Sequence, residues 1–177
     1  MCGLVGVYFP RGTRPESLDL AAAVAAIAHR GPDDRRFYVS ADRRFQAGFS
    51  RLAIIDLDTG TQPIVEGDGR RVLMGNGEIY NYVELRRDLP YAYATQGDVE
   101  VVLPLADRYG AGFVHRLNGM YGLALYDRDP HRLTLVRDRL GIKPMYWMRL
   151  PDGAVAFASE IKALFRVRTT TPEIDQD

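Results

Sequence analysis

The order of apolar runs predicts an α+β fold in which two sheets pack together and helices cover them. Three observations carry this. The runs follow the order strand, helix, several strands, two helices, several strands, helix. Both groups of strands are apolar on most faces, so each sheet needs a partner layer on either side. The 177 residues, 46% of them hydrophobic, suffice for one domain with a substantial core.

Taken in order, residues 3–9 read as a buried strand. A helix start follows, with Thr13 placed to cap, Glu16 three residues later and Pro15 in the first turn. That helix runs through LDLAAAVAAIAHR and stops at Gly31 and Pro32. Three short strands are expected at RRFYVS, FQAGFS and RLAIIDL. Asp68 and Gly69 form a hairpin turn signal leading into RRVLMG. NGEIYNYVELRRDL begins as a loop and ends as a helix. DVEVVLPLADRYG is a further helix, with Asp98 as N-cap, Gly110 as its stop and Pro104 allowing a kink. MYGLALYD, RLTLVRD, KPMYWMRL and AVAFASE supply four more strands, the last two joined by Pro151, Asp152 and Gly153. IKALF is a short final helix, and TTTPEIDQD is a polar tail with no core-building pattern.

Several function classes are disfavoured by composition. Lys and Arg number 23 and so do Asp and Glu, so the basic excess expected of a nucleic-acid binder is missing. No apolar run approaches the roughly 18 residues of a membrane span, and no basic segment precedes the first apolar run as in a secretory signal. One cysteine cannot form an internal disulfide, which points to a reducing, cytoplasmic setting. Three scattered histidines and one cysteine lack the spacing of a zinc site.

Five stretches stand out by their chemistry: Cys2 and Gly3; the HRGPD run at 29–33; RLAIID at 51–56; NGEIYN at 76–81; and GDVE at 97–100. Each has an ordinary structural explanation. Cysteine is a small hydrophobe that suits a first core strand. Asn-Gly is a turn signal, and Asp98 is a good helix cap. HRGPD ends a helix, and Arg51 suits a strand edge. The functional alternative for Cys2 is specific, however. Once Met1 is removed, Cys2 carries a thiol nucleophile and a free α-amine as its base.

In this order and spacing the five stretches resemble the class II glutamine amidotransferase domain, of the N-terminal-nucleophile hydrolase type. In particular they resemble the glutaminase domain of glutamine-dependent asparagine synthetases. GMYGLALYD, VRDRLGIKPMYW and AFASEIKAL extend the match to about residue 165. There are departures: Thr95-Gln96-Gly97-Asp98 stands where a pattern like TGSD is common, and Ala53 where serine is common. The resemblance implies a four-layer αββα sandwich of two mainly antiparallel sheets over residues 1–165. Residues 166–177 would be a polar tail, or a cut site before an absent synthetase domain.

The resemblance also implies roles. Cys2 attacks the side-chain amide of L-glutamine to form a thioester, which water then hydrolyses. The thiol, with a reference pKa near ~8.5, passes its proton to an α-amine of roughly 7.7–8.0. The Asn76 side chain and the Gly77 N–H form the oxyanion hole, a single such donor being worth about 3–4 kcal/mol. Arg51 clamps the substrate carboxylate, Asp98 pairs with its ammonium, and Glu78 is a second acceptor. The main chain around Leu52, Ile54 and Ile55 lines the pocket. HRGPD shapes the adjoining loop without a chemical step, and Asp138 and Lys143 stabilise a turn or face a partner domain. No cofactor is implied in this domain. ATP and magnesium would belong to a synthetase domain or subunit with an ATP-pyrophosphatase fold, whose nucleotide loop is not found in this sequence. A catalytically silent domain of the same fold, serving as a docking module, is the alternative.

Overall fold

The structure, a computed structural model, describes residues 1–12, 18–67 and 69–167. Strands β1 (Gly3–Tyr8), β2 (Asp34–Val39), β3 (Phe45–Arg51), β8 (Tyr146–Arg149) and β9 (Val155–Ala158) form one sheet in the order β2-β3-β1-β9-β8. Strands β4 (Ile64–Glu66), β5 (Arg71–Ile79), β6 (Gly119–Asp127) and β7 (Arg132–Arg137) form the second, in chain order. Every pairing is antiparallel. Helices α1 (Leu20–Ala26) and α4 (Ile161–Val167) cover the first sheet; α2 (Tyr82–Asp88) and α3 (Val102–Tyr109) cover the second.

The period-two alternation of strand side chains builds the layers. In β1, Val5 and Val7 join Val24, Ile27 and Leu164 beneath the helices, while Leu4 and Tyr8 face the other sheet. In β5, Val72 and Met74 face the first sheet, while Leu73 and Ile79 pack with Val102, Leu103 and Phe113. Phe45 stacks on Tyr126 across the sheets at 4.8 Å with 6° between planes, and on Phe157 at 6.1 Å. The four layers follow, as expected. No helix among the described residues is long and apolar enough to cross a membrane.

Several local expectations need correction. The first helix begins at Leu20 under an Asp19 cap, whose carboxylate accepts from Ala22 N–H at 2.8 Å. The start signal at Thr13, Pro15 and Glu16 lies outside the described residues, as do Asp68 and residues 168–177. A 3₁₀ turn, Ala28–Arg30, carries the chain to Gly31. The strand expected at RLAIIDL ends at Arg51. Beyond it the chain curls around the Arg51 side chain, which donates to the carbonyls of Asp56 and of Leu57. Ile54 and Leu57 are left exposed there, so the run is apolar without belonging to a core strand.

NGEI is strand, not loop, because β5 runs on to Ile79. Gly77 is required for packing: a Cβ there would lie 2.0 Å from the Met120 carbonyl oxygen on β6. Residues 99–101 form a 3₁₀ turn before α3. Pro104 therefore falls in the first turn of the α-helix, where a missing N–H costs little, and needs no kink. Gly110, at φ 55°, ends α3. KPMYWMRL contributes only four residues to β8, and α4 extends to Val167.

Candidate active site

Cys2 precedes β1 in phase with Leu4 and Tyr8, and Asn76 follows Met74 in phase on β5. Both side chains therefore belong to the facing surfaces of the two sheets, at one end of the sandwich. The cleft there is lined by Cys2, Arg51, Leu52, Ile54, Ile55, Asn76, Gly77, Glu78 and Asp98, with Met1 at its rim. It thus gathers every residue singled out from the sequence for glutamine binding and chemistry.

Cys2 is half-buried. Its Sγ lies 3.4 Å from the Leu52 N–H and 3.5 Å from the Leu52 carbonyl. Its own carbonyl accepts from Arg30 Nε at 2.9 Å. The HRGPD segment holds the neighbouring loop at two further points. Asp33 N–H donates to the Arg51 carbonyl at 3.0 Å, and the Asp33 carboxylate accepts from Ala53 N–H at 2.8 Å.

The open edge of β5 has a regular pattern. β4 pairs with residues 71–73, and among the described residues no strand pairs with the edge beyond Leu73. Alternate residues of an antiparallel strand direct N–H and C=O to the same side. Gly75 and Ile79 direct theirs to this edge. The Gln62 side chain accepts from Gly75 N–H at 2.6 Å and donates to its carbonyl at 3.1 Å. Asp98 Oδ2 accepts from Ile79 N–H at 2.7 Å. Gly77 lies between them with the same orientation. Its partner across the ladder, Tyr121, has both backbone groups engaged with Asp138, at 3.2 and 2.8 Å. The Gly77 N–H therefore faces the cleft.

Beside it stands Asn76, only 1% exposed. Its Nδ2 is buried and has no hydrogen-bond partner among the described residues. A buried amide donor without a partner costs about 1–3 kcal/mol, so such a group calls for an explanation in the work of the site. Two N–H donors, one side chain and one main chain, are thus adjacent on the wall of the cleft that holds Cys2.

Charge is distributed around this pair. Arg51 is buried, with its guanidinium supported by the two loop carbonyls. Asp98 is buried, and its side chain is directed chiefly to Ile79 rather than into a cap bond, contrary to the cap expectation, with the N–H groups of Asp98 and Val99 as weaker neighbours. Burial raises the Asp98 pKa above 3.8, the Ile79 hydrogen bond opposes this, and the nearby Glu78 charge adds to it.

Sequence reasoning missed some residues of the cleft. Gln62, Gly75, Thr95 and Met120 all line it. Gln62 carries no local signal, since its role depends on a strand 13 residues away. Lys143 also lines the cleft and is buried. Asp138, by contrast, is a turn residue as expected. Its carboxylate accepts from Tyr121, Leu140, Ile142 and Lys143 N–H at 2.9–3.2 Å.

An αββα sandwich of two antiparallel sheets, with a cysteine at the head of its first strand and paired N–H donors in the same cleft, is consistent with the N-terminal-nucleophile hydrolase type. The whole chain, residues 1–177, matches the family described as glutamine amidotransferase domain, and the chain belongs to that family. It is 41% identical over 169 residues to asparagine synthetase [glutamine-hydrolyzing] 2 of Bacillus subtilis (strain 168), covering 93% of this chain and 22% of that protein. It is 37% identical over 176 residues to asparagine synthetase B [glutamine-hydrolyzing] of Escherichia coli (strain K12), covering 98% of this chain and 31% of that one. A putative asparagine synthetase [glutamine-hydrolyzing] of Mycobacterium tuberculosis (strain ATCC 25618 / H37Rv) is 39% identical over 181 residues, 93% of this chain and 28% of that protein. The chain thus spans less than a third of the length of these curated relatives.

Proposed function

We propose that this chain hydrolyses L-glutamine to L-glutamate and ammonia through a Cys2 thioester, as the nitrogen-supplying half of an asparagine-synthetase-like amidation. The observation that carries this reading is the buried, unpartnered Asn76 Nδ2 beside the edge-facing Gly77 N–H, in the cleft that holds Cys2. Preorganised donors of this kind stabilise an oxyanion as it forms and cost no reorganisation at that moment.

In the proposed sequence Arg51 grips the substrate carboxylate, and Asp98, with Glu78 as a second acceptor, holds the ammonium. The walls at Leu52, Ile54 and Ile55 flank the side chain. The Cys2 thiol gives its proton to the α-amine freed by loss of Met1, and sulfur attacks the amide carbon. The amide oxygen takes the negative charge between Asn76 Nδ2 and Gly77 N–H. The tetrahedral intermediate collapses with expulsion of ammonia, which carries the proton returned by the amine. Water then cleaves the thioester. Ammonia is consumed by a synthetase domain or subunit that uses ATP and magnesium, neither of which this domain requires. A cytoplasmic, reducing setting suits the free thiol.

The test is product analysis of the isolated chain. Glutamine should yield glutamate and ammonia, and added ATP, magnesium and aspartate should leave those products unchanged. No glutamate above the level of Cys2→Ala would favour the silent docking module instead. Asparagine or AMP formed by this chain alone would overturn the assignment of a glutaminase half.

A further inference from the structure

The side chain of Arg30 is 8% exposed and bridges the main chain of Cys2 to Glu160, just before α4. Its Nε donates to the Cys2 carbonyl at 2.9 Å, and its Nη1 donates to Glu160 Oε1 at 2.9 Å. The third nitrogen, Nη2, is buried and has no partner among the described residues. A buried guanidinium needs a compensating charge, and among the described residues the one carboxylate that reaches it is Glu160. Glu160 also meets His29 Nε2 at 2.9 Å and Lys162 Nζ at 3.0 Å. Burial raises its pKa, and the bonds from Arg30, Lys162 and His29 outweigh this, bringing it to about 2. It is therefore an anion at any working pH. The next residue back, Ser159, is stitched to β1 as well. Its N–H donates to the Leu4 carbonyl at 2.9 Å, and its hydroxyl accepts from Leu4 N–H at 3.1 Å.

We infer that Glu160 is a positioning residue for Cys2, acting through Arg30: the carboxylate fixes the guanidinium, and the guanidinium fixes the Cys2 carbonyl, hence the direction of the thiol. Glu160 touches neither the substrate nor the sulfur. Misplacement of a reacting atom by about 1 Å can cost on the order of 100-fold in rate, so a distant carboxylate can govern turnover. This inference rests on Cys2 as the nucleophile.

Glutamine turnover and alkylation of Cys2 by iodoacetamide should be measured on the 177-residue chain as wild type, Glu160→Ala, Glu160→Gln and Lys162→Ala, each with its melting temperature. Glu160→Ala should lower kcat at least about tenfold, with KM within about twofold of wild type, and should slow alkylation of Cys2. Glu160→Gln, whose amide oxygen still accepts from Arg30, should lie between. Lys162→Ala, at an exposed partner of the same carboxylate, should behave as wild type. Unchanged kcat in Glu160→Ala, or a loss confined to KM or proportional to the unfolded fraction, would overturn the inference. If Glu160→Ala does not fold, wild-type kcat and alkylation in Glu160→Gln overturn it equally. A wild-type chain that alkylates at Cys2 but does not hydrolyse glutamine would sink the proposed function, while the alkylation rates still decide the role of Glu160.

Discussion

Asp98 Oδ2 accepts the backbone N–H of Ile79 at 2.7 Å, two residues along β5 from Gly77. One carboxylate therefore ties the proposed ammonium site to the strand that carries the proposed oxyanion hole.

The pH dependence of substrate binding follows from this buried acid. Its pKa lies above 3.8 in the fold, chiefly through burial. An ammonium ligand needs the ionised form, so the KM for glutamine should rise on acidification at a pH above the ordinary aspartate range. Asp98→Asn should raise KM at neutral pH and abolish that rise. The stability sign is opposite to that of a paired carboxylate. Since the folded state holds the proton more tightly, this group's contribution falls as pH rises from its unfolded pKa to its raised folded value. Asp98→Asn should therefore lose less stability than wild type across that window in chemical denaturation.

Asn76→Ala should separate stability from activity. It removes the orphaned Nδ2, so the melting temperature should hold or rise, with a gain of up to about 1 kcal/mol. Turnover should fall by about 100- to 1,000-fold, with KM little changed. A large rise in KM with normal kcat would show that Asn76 binds the ground state rather than the developing charge.

Arg51→Ala should show the reverse kinetic pattern, raising KM more than it lowers kcat, because a carboxylate clamp acts alike in ground and transition states. Arg51→Lys should not restore it, since one ammonium cannot serve two loop carbonyls and a substrate carboxylate with the same fixed geometry. Limited proteolysis should cut residues 52–57 faster in either variant, as the chain there is wrapped on this side chain.

Processing is testable by intact mass. Met1 lines the rim of the cleft, and while it remains the nitrogen of Cys2 is an amide without basicity. Active protein should weigh one methionine less than the full sequence. Cys2→Ala should leave the fold intact and abolish both hydrolysis and labelling by 6-diazo-5-oxo-norleucine. Full activity in protein that retains Met1 would remove the amine from the mechanism.

Gly77→Ala tests the strand itself. The added carbon would meet the Met120 carbonyl at 2.0 Å, so β5 and β6 must separate, at about 3 kcal/mol. Folding and turnover should both suffer, and a variant with native stability would contradict the pairing of Gly77 with Tyr121.

The layers were legible because the strands are apolar on both faces: β1 is buried along its whole length, with Val5 and Val7 toward the helices and Leu4 and Tyr8 toward the other sheet, and such a run needs a layer on either side. Where local and distant causes differ, the local signal misleads. Asn-Gly at 76–77 is a turn signal in isolation, yet here glycine is demanded by a carbonyl on another strand. The run at 52–57 is apolar, and apolar runs read as strands, but Arg51 folds it back upon itself. The charged and polar residues of the cleft were found through the company they keep in sequence. Gln62 and Lys143 were not assigned to it, because nothing adjacent to them signals the cleft they line.

The brevity of β4 has a further meaning. Its three residues saturate 71–73 of β5, and the side chain of Gln62 alone substitutes for what would be the next rung. Were β4 two rungs longer, its main chain would bond Gly75 and Gly77, and the cleft would be roofed by ordinary sheet. The proposed oxyanion donor at Gly77 thus occupies a vacancy in a hydrogen-bond ladder, kept open because one strand stops early. With Gly75 held by Gln62 and Ile79 by Asp98, the opening is one rung wide, at Gly77, which suits a small amide and excludes a further strand.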